Sequence, residues 1–531
     1  MDLPPHLSAH VNTILARALD RPLTDILHGH ALIAAARALA RRLHAPQRLA
    51  CDDPLALITA LLACAIAGQP ADLLPRDNGA SDTLRDSSIA LDPAAAASLP
   101  PLADIALTLH TSGTSGDGSA VSKTLGAMLR EAAALLTLPQ LPAGGTALGS
   151  VQPQHLYGLT FRIFLSLLAG WQIDRPQHRY PELLLDASHR HHAPQIWISS
   201  PTLLRALAAH DLTPWRGRVA LVTSAGSRLE PADAARLREQ LACPLLDIYG
   251  STESGVIAVD DGQGRKVLPG VTTRRDSDGI LHVNSPWTDG WLNTGDLVDE
   301  NLQLLGRADR IVKRGDKRIS LNTLEQTLIQ HPYIADSYCA VHPDNGQLCA
   351  WLALNEAGIT AWREQGRKAL MAQWRAHLQT QHDRLAVARH IRVTDRLPRN
   401  SQGKITRADW LHALRDPILA PLWQPPEEQG ESYIFRARVP LDLHYCKGHF
   451  DRIAIVPGVV QCRWALALAA EHLGLQAPVR AIEQLKYQQL LRPYDALTLS
   501  LRYDASRGKL HFSCDNGRGK CASGRIVYDL P

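Results

Sequence analysis

The octapeptide Thr111-Ser112-Gly113-Thr114-Ser115-Gly116-Asp117-Gly118 constrains the fold more than any other stretch of this 531-residue chain. It follows directly on the apolar run Ile105–His110, which reads as a strand. A strand that ends in glycines and small hydroxylic residues predicts a loop whose backbone N–H groups can approach a polyphosphate, with Thr111, Ser112, Thr114 and Ser115 adding hydroxyl donors. A helix is predicted behind it, from about Thr124 to Leu136. Further strand-like runs at Ile196–Ser199, Val219–Thr223 and Leu245–Tyr249 alternate with helical ones at Thr202–Ala209 and Ala232–Leu241. That alternation predicts an α/β layer architecture.

The texture changes after Gly290, where short β-like runs give way to a helix opening near Asn322 and a long helical stretch around Thr360–Gln381. Residues 416–432 carry four prolines and few periodic apolar positions, the pattern of a linker. Beyond them one apolar helix, Val459–Leu473, is predicted among β-like runs at Ile434–Val439, Val479–Tyr487, Leu497–Tyr503, Lys509–Cys514 and Ala522–Tyr528. One helix with a mostly antiparallel sheet is an α+β domain.

A chain this long predicts two to four domains. With 45% hydrophobic and 20% charged residues, disorder and fibrous repeats are excluded. The start lacks a basic segment followed by an apolar run, and no eighteen apolar residues follow one another. The expectation is a cytoplasmic chain without a membrane span. Nine cysteines without a C-x-x-C pair fit neither a zinc site nor a disulfide framework, and read as reduced thiols. Residues 431–531 hold 14 Lys and Arg against 9 Asp and Glu, a net +5 that can steer an acidic partner.

Four more motifs follow the octapeptide: Tyr249-Gly250-Ser251-Thr252-Glu253, Asn293-Thr294-Gly295-Asp296, Gly306-Arg307-Ala308-Asp309 continuing through Lys313 and Gly315, and Pro398-Arg399-Asn400-Ser401-Gln402-Gly403-Lys404. In this order the set resembles the adenylation enzymes, which comprise acyl-CoA synthetases, peptide-synthetase adenylation domains and luciferases, over residues 10–414. The resemblance implies a large N-terminal α/β domain (1–306) and a small mobile α+β subdomain (307–415). It implies ATP and Mg²⁺ as cofactors and the thiol of phosphopantetheine, on an acyl carrier protein or in coenzyme A, as acceptor. By position, Tyr249 stacks on adenine near Gly226, Thr252 contacts the α-phosphate, and Glu253 holds Mg²⁺. Asp296 and Arg307 bind the ribose, Asp309 is the hinge, and Lys404 is the adenylation lysine. His155, with Tyr157 and Gly250, is implied to line the acyl pocket. These residue types suit the chemistry, because a carboxylate attacking the α-phosphorus develops negative charge that a positioned ammonium and a metal stabilise.

One departure is chemical: Ser119 stands where the family has a phosphate-loop lysine, and Lys123, four residues on, is the expected substitute. Gly448-His449-Phe450 and Val456-Pro457-Gly458-Val459-Val460-Gln461 in turn resemble the hot-dog 3-hydroxyacyl-carrier-protein dehydratases over 433–529. There the resemblance implies His449 as general base, yet Arg463 stands where that family has its acidic partner, so the tail is expected not to dehydrate. An adenylating module with such a tail resembles the fused proteins of aryl polyene and xanthomonadin-type pigment pathways. That implies an aromatic acid of the hydroxybenzoate kind as substrate, with an acyl carrier protein as partner and no nucleic acid. A fatty acyl-CoA ligase, and a scaffold that binds carrier protein without catalysis, remain open alternatives.

Overall fold

The computed structural model describes every residue except 1–8, 76, 78, 111–119, 193, 228, 315–316, 400–404, 451–452 and 530–531; of 9–11 it describes only the backbone. By contacts the chain forms two compact units, Met1–Ala308 with Arg399–Thr406, and Asp309–Pro398 with Arg407–Pro531.

In the first unit, a seven-stranded sheet runs in the order Arg265–Val267, Gly255–Asp260, Leu245–Ser251, Val219–Ser224, Gln195–Ser199, Thr146–Gly149, Gln172–Gln177. The last five strands are parallel, and the first two add an antiparallel edge. Central parallel strands are buried on both faces, which is why they read as near-continuous apolar runs. Ile196 and Ile198 enter a core shared with helix Pro54–Ala67, whereas Trp197 and Val222 enter another with helices Pro201–Ala208 and Pro231–Leu241. Pro54–Ala67 is buried on all sides from Pro54 to Ala65, as an apolar helix without a polar face must be. Asp53 caps its start by accepting from Leu55 N–H at 2.9 Å, and Gly68 ends it at φ +66°.

A five-stranded sheet has the order Thr83–Arg85, Gln47–Ala50, Ala71–Leu73, Ala106–His110, Ala120–Thr124, parallel except for the last pair. That antiparallel pair flanks residues 111–119 and sets Leu107 opposite Lys123. A four-stranded antiparallel sheet, Thr272–Arg275, Ile280–Asn284, Leu292–Val298 and Leu304–Arg307, completes the unit.

The second unit holds a three-stranded sheet, Ile334–Val341, Leu348–Leu354 and His390–Thr394, packed by helices Leu321–Ile329 and Glu356–Gln379. Its tail is a six-stranded antiparallel sheet in the order Glu427–Gln429, Ser432–Arg438, Ala496–Asp504, Lys509–Asp515, Lys520–Tyr528, Val479–Tyr487. The sheet packs on one helix, Gly458–Leu473, which buries Val460, Cys462, Trp464, Ala465, Leu468 and Ala469. This is the hot-dog arrangement.

The stretch 416–432, expected as a linker, is packed instead. Ile418 and Trp423 join the tail core, Leu419 O accepts from the Trp464 indole at 3.0 Å, and Glu427–Gln429 forms the sheet's first strand. Proline content reported the irregular backbone but not the two apolar anchors. The tail also docks on helix Glu356–Gln379, which is broken at Gly366 (φ 80°, ψ 165°). Leu441 and Tyr494 enter the core around that helix, and Leu441 O accepts from the Trp362 indole at 3.1 Å. Two buried tail carboxylates are clamped there. Asp495 accepts from Arg363 at 2.7 Å and Arg518 at 3.0 Å. Asp442 accepts from Arg367, while Arg392 Nε lies 2.9 Å from its other oxygen, off the hydrogen-bonding direction.

Candidate active site

Ligands of open parallel sheets bind at the carboxyl ends of strands, and the sequence motifs gather at two such ends. Strand Leu245–Ser251 carries Tyr249 and runs through a bulge at Gly250 into the turn that holds Thr252 and Glu253. A Cβ on Gly250 would lie 2.1 Å from Gly255 O, so only glycine fits. The turn closes on itself: Ser254 N–H donates to Ser251 Oγ at 3.1 Å, and Ser251 N–H donates to Ser254 Oγ at 3.0 Å. Thr252 is half-buried and Glu253 exposed.

Three predicted nucleotide-binding residues from separate motifs meet. The Tyr249 hydroxyl donates to Asp296 Oδ2 at 2.7 Å, and Arg307 donates to Asp296 Oδ1 at 3.3 Å. Sheet register sets Asp296 opposite Arg307. Burial, then Asp296 beside it, push the Tyr249 hydroxyl well above the usual phenol range. The ring is 8% exposed, and the Arg265 guanidinium lies 4.3 Å from its centre, covering one face. Gly226, two residues past the end of strand Val219–Ser224, has φ +100° and open space where a Cβ would stand.

Lys123 requires a correction. It is 6% exposed, and Nζ donates to Glu253 O at 2.6 Å and lies 3.4 Å from Trp287 O. Burial lowers its pKa against the pull of Glu131 and Glu253. Its ammonium is held beneath the turn and is not presented to a phosphate, because its strand position points it inward. Thr111, Ser112, Gly113, Thr114, Ser115, Gly116, Ser119, Gly315 and Lys404 lie outside the described residues. Asp309 is the first residue of the second unit.

At the acyl-pocket positions, His155 is half-buried at the start of helix Leu156–Gly158. The Tyr157 hydroxyl pairs with Thr223 Oγ1 at 2.6 Å, near the end of a central strand, and its ring packs 4.9 Å from Phe161. In the tail, His449 Nδ1 donates to Ile455 O at 3.3 Å, a tautomer that leaves Nε2 as the basic nitrogen. Phe450, Ile453 and Val459 beside it are exposed, and Arg463 donates to the Tyr445 hydroxyl at 2.9 Å.

The AMP-binding enzyme family matches residues 38–276, and the ApeI dehydratase family matches 425–525. This chain joins an AMP-binding enzyme domain to an ApeI-like dehydratase domain. An oxalate–CoA ligase of Arabidopsis thaliana is 23% identical over 350 residues, 57% of this chain and 66% of that protein. A salicyl-AMP ligase / salicyl-S-ArCP synthetase of Mycobacterium tuberculosis is 28% identical over 236 residues, 35% of this chain and 39% of that protein. In both cases the chain spans less than two thirds of the relative. ATP-bound MatB from Rhodopseudomonas palustris has a TM-score of 0.62 at 19% identity, covering 76% of this chain and 99% of that one. A benzoate CoA ligase from Burkholderia xenovorans has 0.59 at 18%, covering 76% and 99%. The fold is that of adenylate-forming enzymes.

Within the AMP-binding domain, one functional candidate escaped the sequence reading. Asp247 lies two residues before Tyr249 on the same strand face, in register with Ser224. Its Oδ1 is buried without a hydrogen-bond partner, as is Ser224 Oγ, although the hydroxyl is near enough to favour the carboxylate. Burial, opposed by Arg265, pushes the Asp247 carboxyl up to about 6. A buried acceptor without a donor is costly, and an amine on a bound base would satisfy it. The only signal was an acidic residue inside an apolar strand.

For Mg²⁺, an exposed carboxylate on a closed turn fits, because that ion takes one or two carboxylates with phosphate oxygens. Asp20, His28 and His30 also cluster, but His30 pairs with Asp20 at 3.0 Å and His28 Nδ1 caps helix Gly29–Ala40 by accepting from His30 N–H. Among the described residues no helix is long and apolar enough to cross a membrane.

Proposed function

We propose that the chain is an ATP-dependent, AMP-forming ligase that loads an aromatic, hydroxybenzoate-like acid on the phosphopantetheine thiol of an acyl carrier protein, in the biosynthesis of an aryl polyene or xanthomonadin-type pigment. The observation that carries this reading is the fusion of an AMP-binding domain to an ApeI-like dehydratase domain in one chain. The salicyl-AMP ligase / salicyl-S-ArCP synthetase relative supports both an aromatic acid and a carrier-protein acceptor.

In the first half-reaction the substrate carboxylate attacks the α-phosphorus of ATP and pyrophosphate leaves. In the second, the thiol sulfur attacks the acyl carbon and AMP leaves. Tyr249, Asp247 and Gly226 receive the base, Asp296 and Arg307 the ribose, and Thr111–Gly116 the phosphates. Thr252 faces the α-phosphate, and Lys404 neutralises the charge developing there. When bound, Mg²⁺ screens the phosphates, and Glu253 is the residue to hold it. His155, Tyr157 and Gly250 line the acid's pocket. The parting of the two units at Ala308 and Asp309 supports Asp309 as the hinge between half-reactions. The need for ATP and nine unpaired cysteines favour the cytoplasm as its compartment.

The test is thioester formation on carrier protein and on free coenzyme A across ionic strength. Carrier protein is expected to be preferred and its use to fall as salt rises, since the basic tail steers an acidic partner. Equal or better use of coenzyme A, without salt sensitivity, contradicts the carrier-protein reading.

A further inference from the structure

Beneath the turn Ser251–Gly255 lies a buried charged cluster outside the nucleotide contacts. Lys123, on strand Ala120–Thr124, donates to Glu253 O at 2.6 Å. Glu131, on helix Leu125–Leu135, is 1% exposed, and its Oε1 accepts from Val256 N–H at 3.0 Å. Between them Gly255 sits at φ +67°, where a Cβ would lie 2.6 Å from the Trp287 ring and 2.9 Å from Glu131 Oε2. The turn is thus grasped at a carbonyl on one side and at an amide three residues on. No side chain fits at Gly255, so the turn can pack this closely on Trp287 and Glu131 only with glycine there.

Burying a lysine and a glutamate where apolar residues would stabilise the fold at least as well needs a reason other than stability. A hydrogen bond fixes direction as well as distance, and what these two fix is the backbone from which Thr252 and Glu253 project. Lys123 also lies four residues past the segment 111–119, so one side chain ties the predicted phosphate loop's hairpin to the turn across from it.

We propose that Lys123 and Glu131 are positioning residues of adenylation, holding the turn so that Thr252 and Glu253 meet the magnesium–nucleotide in one orientation. This rests on Glu253 being the carboxylate that holds the metal. Neither residue touches substrate.

The test uses the full chain as Lys123→Met, as Lys123→Met with Glu131→Gln, and as Glu253→Gln. ATP binding is measured by calorimetry with Mg²⁺ titrated and again in EDTA, beside kcat and the acid's KM in pyrophosphate exchange. Lys123→Met is expected to weaken the Mg²⁺-dependent part of ATP binding about tenfold, the scale of one lost buried hydrogen bond to a charged donor. Binding in EDTA and the acid's KM should stay within about twofold, and kcat should fall. The double variant leaves no buried charge unpaired while Glu253 O still lacks its donor, so it decides the matter if the single variant does not fold. Unchanged Mg²⁺ dependence in a folded variant, with Glu253→Gln altered, overturns the positioning role and leaves the reading of Glu253 intact. Equal loss with and without Mg²⁺ reduces the pair to structural support and overturns it too. Unchanged Mg²⁺ dependence in Glu253→Gln overturns the reading of Glu253 and the proposal with it.

Discussion

The nucleotide turn and the tail's histidine site are built differently. Behind Thr252 and Glu253 stand a buried lysine, a buried glutamate, a tryptophan and a glycine that tolerates no Cβ. Behind the His449 side chain, among the described residues, stands a bond to Ile455 O, with exposed Phe450 and Ile453 beside it and Arg463 at the position where the resembling family has its acid. Catalysis needs groups held before the reaction begins, and supporting residues are what hold them. The first site has such supports; in the tail, the proposed reading has His449 as a base with Arg463 where the acid would stand. The tail's strongest features face helix Glu356–Gln379, where Asp442 and Asp495 are clamped.

The largest expected effect tests the first half of this contrast. Lys404→Ala should lose a factor of about 10² to 10³ in acyl-AMP formation, as removal of an electrostatic stabiliser does. Thioester formation from supplied acyl-AMP should stay near the unmodified rate. Equal loss in both assays would show that Lys404 also serves the thiol step.

The second half is tested with 3-hydroxyacyl-carrier protein and the full chain. Without an acid to protonate the leaving hydroxyl, dehydration should fall at least about 10² below that of a site with both groups. Arginine stays protonated and cannot serve as that acid. Clear dehydration, lost in His449→Ala, would make the two sites equals and the chain bifunctional.

The clamp at the tail's docking face gives a smaller effect, on stability. Asp442→Ala strips Arg367 and Arg392 of a buried partner and should cost about 3 kcal/mol locally. Amide exchange in residues 439–447 should then quicken by roughly two orders of magnitude. Unchanged exchange would mean that the apolar contacts of Trp362, Leu441 and Tyr494 suffice.

Asp247 gives the smallest effect. Its carboxyl titrates near 6, so it is ionised above that pH and accepts best there. KM for ATP should rise a few-fold, about one lost hydrogen bond, as pH falls below about 6, and Asp247→Asn should remove that dependence because the amide oxygen still accepts. Because the folded pKa is raised, the carboxyl's contribution to stability is present below about pH 4 and lost as pH rises to about 6. Asp247→Asn should flatten that slope too. A pH-independent KM in the unmodified chain would remove Asp247 from the base's contacts.

Much of this was legible in the sequence. Runs such as Ile196–Ser199 and Val219–Thr223 announced strands because both faces are buried, and the observed strands Gln195–Ser199 and Val219–Ser224 differ by a residue. Helix Gly458–Leu473 was likewise predicted within one residue, from a long apolar run, and Gly474 caps it. The meeting of Tyr249, Asp296 and Arg307 was legible only through resemblance, since nothing local says that residues 47 positions apart touch. What stayed hidden depends on distant partners. Lys123 read as the substitute for the phosphate-loop lysine because its acceptor, Glu253 O, is 130 residues away. Stretch 416–432 read as a linker because two tryptophan-centred contacts leave no periodic trace. The break at Gly366 lies inside a run of good helix formers, and its φ of 80° marks where the tail docks.

The measurement that tests the central claim most directly is ATP–pyrophosphate exchange by the full chain across a panel of carboxylic acids. Aromatic acids bearing a hydroxyl are expected to drive exchange, fatty acids of any length far less, and Lys404→Ala to abolish it. No exchange with any acid, from a folded chain that binds ATP, would contradict the account and leave a protein that binds its partners without activating a substrate.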